Sequence, residues 1–229
     1  MRVVYHIPND DLRTAETAAR EAEAAGFDGI VALENAHGPF PPLSVAAMAT
    51  DRIQIGTGVA IAFPRSPTIM AHAAWDLHKA SKGRFYLGIG SQVKGHNERR
   101  YGVEWVPPAP RMKDYIGAVR AVWHAWETQE PLDYHSKHYT LTLTTPNFAP
   151  QPSGLPRIPI AMSAVGPAML RVAGDTADGV RLHPFSTKRY LAEESLKHIG
   201  DGLARSGRVR GYIEVVSGAF LATGKDEEA

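Results

Sequence analysis

The groups able to do chemistry in this chain are few in kind. It has ten histidines and no cysteine, which excludes thiolate nucleophiles, disulfides, iron–sulfur clusters and cysteine-held zinc together. Imidazole, carboxylate, hydroxyl or a borrowed cofactor must then carry any reaction. Four histidines, His6, His37, His96 and His183, follow short apolar runs, where a barrel hydrolase would hold its metal. Their pattern assigns no metal: there is no HExxH, and no HxH in the first run. A metal-dependent barrel hydrolase therefore stands only as an alternative. No GxSxG frames a serine nucleophile. Two segments suit an anion. Gly88, Gly90 and Ser91 have small side chains that let backbone N–H groups approach phosphate oxygens. Ser163, Ala164, Val165 and Gly166 run into a predicted helix start, where free amides and the helix dipole favour negative charge. Read alone, each is also an ordinary tight turn between strand and helix. Neither carries the full P-loop or dinucleotide fingerprint.

The elements that must position these groups alternate. Short apolar runs predict strands over 3–7, 29–33, 53–61, 84–89, 158–163, 179–183 and 212–223. Between them, Ala-rich or amphipathic stretches predict helices over 12–25, 43–49, 67–81, 110–127, 167–173 and 187–205. In the longest, Met112, Tyr115, Ile116, Val119, Val122, Trp123 and Trp126 recur at three- and four-residue spacing, the mark of a core face. The rhythm breaks over 131–157, where a hairpin over 134–143 and a proline-rich connection are expected. Regular βα alternation predicts an α/β chain of (β/α)8 TIM-barrel type, read as one domain over 1–229 with 131–157 inserted. Seven strands are found where a closed barrel needs eight, so the expectation is a barrel truncated after strand seven, its last part absent. The final GKDEEA reads as a helix cap and acidic first turn. An open doubly wound sheet is the structural alternative.

Composition excludes other roles. The 25 basic and 24 acidic residues are interspersed, unlike the basic stripe of a nucleic-acid binder. No apolar run approaches the ~20 residues of a membrane span. The opening MRVVYHIPNDDL lacks a basic segment followed by an apolar one, so a cytoplasmic protein is expected, with a small molecule as its partner.

The segments EAEAAGFDGIVALE, IQIGTGVAIAFPRSPTIMAHAAWDLHKASKGRFYLGIGSQ, RMKDYIGAVRAVW and VAGDTADGVRLHPF together resemble the bacterial luciferase-like superfamily of barrel oxidoreductases. The loop GSQVKGHNERRYGVEW resembles the branch assigned to the deazaflavin coenzyme F420. The resemblance implies an F420-dependent oxidoreductase that exchanges hydride with a small organic substrate. Its alternatives are a flavin mononucleotide (FMN) monooxygenase of the same superfamily and a non-catalytic flavin-binding protein. It implies a non-prolyl cis peptide joining Gly58 to Val59 against the cofactor's central ring. The cofactor phosphate and tail would lie along Gly90, Ser91 and Gln92 and along Ser163, Ala164, Val165 and Gly166, the same two anion segments found above. His37, Glu34 and His96 are the implied proton handlers; some relatives carry a Glu where this chain has Val93. A homodimer is expected by resemblance alone.

Overall fold

The computed structural model describes residues 1–218. The end of the strand predicted over 212–223 and the GKDEEA helix start lie outside the described residues. Seven parallel strands follow one another in space as they do in sequence. They are β1 (Val4–His6), β2 (Gly29–Ala32), β3 (Gln54–Thr57), β5 (Phe85–Gly90), β8 (Ile160–Ser163), β9 (Gly179–Leu182) and β10 (Glu214–Ser217). A two-residue strand β4 (Ala60–Ile61) also pairs with β5. The order never reverses, so there is no switch point of a doubly wound sheet, and the barrel reading holds. The sheet curls until Arg2, beside β1, donates to Glu214 at the start of β10 at 3.2 Å. It is a partial barrel of seven strands among the described residues.

Side-chain alternation divides the sheet into two faces. Ile30, Ile55, Leu87, Ile160, Met162 and Val180 point outward into one large core with the helices. Helices α1 (Leu12–Ala24) and α2 (Phe40–Ala49) give it small side chains, among them Ala19, Ala22, Ala46 and Ala47. The core also includes α3 (Pro67–Ala80) and α5 (Pro108–Thr128), and all seven apolar residues expected on the α5 face are buried in it. Inside the curl, Val31, Tyr86 and Ala161 form a separate small cluster. Among the described residues the lumen thus lacks the layers of bulky branched side chains that fill a closed barrel.

Three expectations need correction. The strand expected over 53–61 is two strands, because the chain jogs between Thr57 and Ala60. The loop after β5 contains a short helix, α4 (Lys94–Arg100), unsuspected because its charged sequence has no apolar period. The helix over 187–205 is interrupted by a wider π turn at Leu191–Ser195. The hairpin is present as β6 (Tyr134–His135) and β7 (Thr140–Leu141).

The turn entering β9 is held by Asp178. Its carboxylate accepts from the Ile160 backbone at 2.9 Å, Arg120 at 2.9 Å and Arg157 at 2.7 Å. Burial favours the neutral acid, but the Ile160 N–H and the two guanidinium groups outweigh it and hold the pKa below the ordinary value. Asp178 therefore stabilises the fold above the unfolded carboxylate pKa of about 3.9, and that contribution disappears as pH falls through the lower folded value. In acid titrations followed by circular dichroism, Asp178→Asn is expected to be less stable than the parent near pH 7. The two should converge as pH falls through the lowered folded value; a constant gap across this range would count against the assignment.

Candidate active site

The carboxyl ends of β2, β3, β4, β5 and β8 meet around one cavity of about 260 Å³, lined by Leu33, Glu34, Gly58, Val59, Ile61, Gly90, Gln92 and Ser163. Six of these are among the residues expected from the sequence: Glu34, Gly58, Val59, Gly90, Gln92 and Ser163. The Gly58–Val59 peptide is cis. Val59 lies across β5, where only glycine fits: a Cβ on Gly90 would stand 2.7 Å from Ser163 Oγ and 2.8 Å from Val59 Cγ2. Gln92 follows in the left-handed region at φ 57°, its Oε1 accepting from the Val93 N–H at 2.9 Å.

Glu34 is fully engaged. Its Oε2 accepts from the Ile61 N–H at 2.7 Å and from Arg65 Nη1 at 2.8 Å, and Oε1 accepts from Arg65 Nη2 at 2.8 Å. Arg65 Nη1 also donates to the Ile61 carbonyl at 2.8 Å. The pair clamps β4 in place behind Val59. Arg65 is in turn backed by Tyr115, whose hydroxyl donates to the Arg65 carbonyl at 3.1 Å; burial pushes that phenol well above its ordinary pKa.

The remaining candidates lie around the cavity without lining it. His37 and His96 are not buried, one on the loop after β2 and the other in α4. Arg100 Nη2 donates to the Asn35 carbonyl at 2.6 Å and ties these two segments together. The Ser91 carbonyl accepts from Asn97 Nδ2 at 2.9 Å. Ala164 is buried, and its N–H donates to the Arg181 carbonyl at 3.2 Å. Val165 is exposed, its carbonyl accepting from the Tyr190 hydroxyl at 2.8 Å. Gly166 caps α6 (Pro167–Thr176), whose first-turn amides have no partner within the helix. Among the described residues no three His, Asp or Glu side chains are grouped to hold a metal ion, and no helix is long and apolar enough to cross a membrane.

Sequence reasoning missed Asn97. It is completely buried, and its amide also donates to the Val93 carbonyl at 3.1 Å, so it braces the turn from Ser91 to Val93. An asparagine among charged residues gives no apolar period; only a helix placed over 94–100 would have revealed it. Tyr86 and Arg181, which meet inside the lumen, were missed as well. In the sequence both read as ordinary strand residues.

The sequence matches the family model described as luciferase-like monooxygenase over residues 2–229. An uncharacterized protein of Mycobacterium tuberculosis is 43% identical over 221 residues, covering 96% of this chain and 65% of the relative. The chain thus spans about two thirds of that relative's length. The coenzyme F420 dependent tetrahydromethanopterin reductase from Methanopyrus kandleri superposes with a TM-score of 0.77 at 24% identity, over 94% of this chain and 65% of that one. The oxygenating constituent of 3,6-diketocamphane monooxygenase from Pseudomonas putida, solved with FMN, superposes with a TM-score of 0.70 at 16% identity, over 94% and 66%. At these identities the two superpositions establish the fold alone.

Proposed function

The chain belongs to the luciferase-like monooxygenase family, and from that premise we propose that its strand-end cavity holds coenzyme F420 and serves hydride exchange with a small organic molecule. The observation that carries this reading is the convergence of Glu34, Gly58, Val59, Gly90, Gln92 and Ser163, from four separate strand ends, on one cavity. Their chemistry suits a flat ring bearing an acidic tail. Leu33, Val59 and Ile61 offer an apolar wall, and the glycine at position 90 admits close approach. The turns over 90–92 and 163–166 offer backbone amides to a phosphate.

When bound, a deazaflavin supplies the transfer of two electrons and one hydrogen as hydride, and the protein supplies position and protons. Gly58, Val59 and Ile61 seat the ring, while the clamp of Glu34 and Arg65 keeps that seat in place. Glu34 has its oxygens committed to three donors, so we assign it positioning rather than proton transfer. The proton accompanying hydride transfer falls to His37 or His96, whose accessible imidazoles exchange with water on segments that Arg100 ties together.

Titration of the purified chain with F420 and, separately, with FMN, followed by the fluorescence of each, tests the reading. Micromolar binding of F420 with weaker binding of FMN is expected. The reverse preference would favour an oxygen-using flavin enzyme, and binding of neither would remove the cofactor reading for this chain.

A further inference from the structure

The lumen beneath the cavity holds a guanidinium that no carboxylate neutralises among the described residues. We infer that Arg181, together with the Tyr86 hydroxyl, forms a subsite for the carboxylate of a small organic acid, the second reactant at the cavity. Its role as a handle on a reactant rests on the cofactor reading; its existence as a carboxylate site does not.

Position comes first. Arg181 on β9 is the register partner of Ser163 on β8, so both side chains leave the sheet on the same face. Ser163 lines the cavity, which places the Arg181 side chain in the lumen alongside it. The ring of Tyr86 lies over Gly56, where a Cβ would collide with it. The only other buried apolar side chains of that lumen cluster are Val31 and Ala161.

The charges follow. Arg181 Nη2 donates to the Tyr86 hydroxyl, and the guanidinium carbon is 5.1 Å from the centre of the Tyr86 ring. Its Nε is buried and has no partner among the described residues. Glu214, the acid whose charge acts on Arg181, is exposed and bonded to Arg2 at 3.2 Å. Burial lowers the Arg181 pKa to about 10, with Glu214 opposing, so the group stays charged at neutral pH. His6, whose pKa responds to the same guanidinium, is pushed toward its neutral form by burial and by Arg181.

Holding an unneutralised guanidinium with a buried, unused Nε–H is unfavourable unless something completes it. Its planar fork matches the two oxygens of a carboxylate. The Tyr86 oxygen accepts from Arg181, which leaves its own O–H free to donate to the same anion. A neutral amide offers one acceptor oxygen and no charge.

Calorimetric titration with benzoate and with its neutral counterpart benzamide tests the subsite, on the chain alone and on the chain saturated with F420. Benzoate is expected to bind at one site at least about tenfold more tightly than benzamide. Arg181→Gln should lower benzoate affinity by about tenfold or more while leaving F420 affinity and benzamide binding unchanged. Its melting temperature should not fall, since the substitution removes an unpaired charge. The ratio of benzoate to benzamide is read on the unaltered chain and so decides even if the variant does not fold. Equal affinity for the two probes overturns the subsite, as does undiminished benzoate binding by Arg181→Gln. Weaker F420 binding with unchanged benzoate binding in that variant also overturns it, and gives Arg181 to the cofactor. If the unaltered chain prefers benzoate but binds no F420, the subsite stands and the F420 reading fails.

Discussion

Glu34→Ala is expected to destabilise the chain by about 3 kcal/mol and to weaken cofactor binding with it. The carboxylate is the shared acceptor of the Ile61 N–H and both terminal nitrogens of Arg65. The side chains are 8% and 24% exposed for Glu34 and Arg65, so water compensates little of what is lost. Removing the acid leaves a guanidinium without its counter-charge and a buried amide at Ile61 without an acceptor. Isolated surface pairs are worth at most about 1 kcal/mol, which makes the magnitude diagnostic. Urea unfolding should show a lower midpoint with an unchanged slope. The double variant with Arg65→Ala should lose less than the sum of the single losses, because both substitutions break the same pair. A single-variant loss below about 0.5 kcal/mol would sink the clamp.

Gly90→Val is expected to reduce cofactor affinity by on the order of a hundredfold while the helices and most of the sheet remain folded. The position has no room for a side chain: a Cβ alone would stand 2.7 Å from Ser163 Oγ and 2.8 Å from Val59 Cγ2. Valine adds two methyl groups to that conflict, so Val59 and Ser163 must move, and both line the cavity. Overpacking of this kind costs about 1–3 kcal/mol of stability, which most domains survive at a stability of about 5–15 kcal/mol. The fluorescence titration with F420 and FMN, run beside far-ultraviolet circular dichroism, separates loss of the site from loss of the fold. Normal binding of both by Gly90→Val would show that the cavity is not where the cofactor sits.

Much of the architecture is legible in local patterns. The apolar runs that form β2, β5, β8 and β9 are short and bounded by turn residues. The face of α5 from Met112 to Trp126 repeats at the helical period. Both signals arise from residues a few positions apart, as does the placement of the turns after β5 and β8. The jog that splits β3 from β4 lies inside an apolar stretch with no break in pattern. The helix α4 is polar almost throughout, so a period of hydrophobicity could not expose it, and Asn97 went unseen with it.

The order of strands and helices and the exclusion of cysteine chemistry follow from residue types and local periodicity. Tertiary structure alone decides the partners. The partner of Glu34 is not legible until the fold places Arg65, 31 residues away, against it. Arg181 reads as one polar residue in a strand until the sheet curls and brings it to Tyr86, 95 residues distant. Alternation along a strand states which face a side chain takes. Which residue it meets there depends on register and curvature, which are set by the packing of every strand and helix at once.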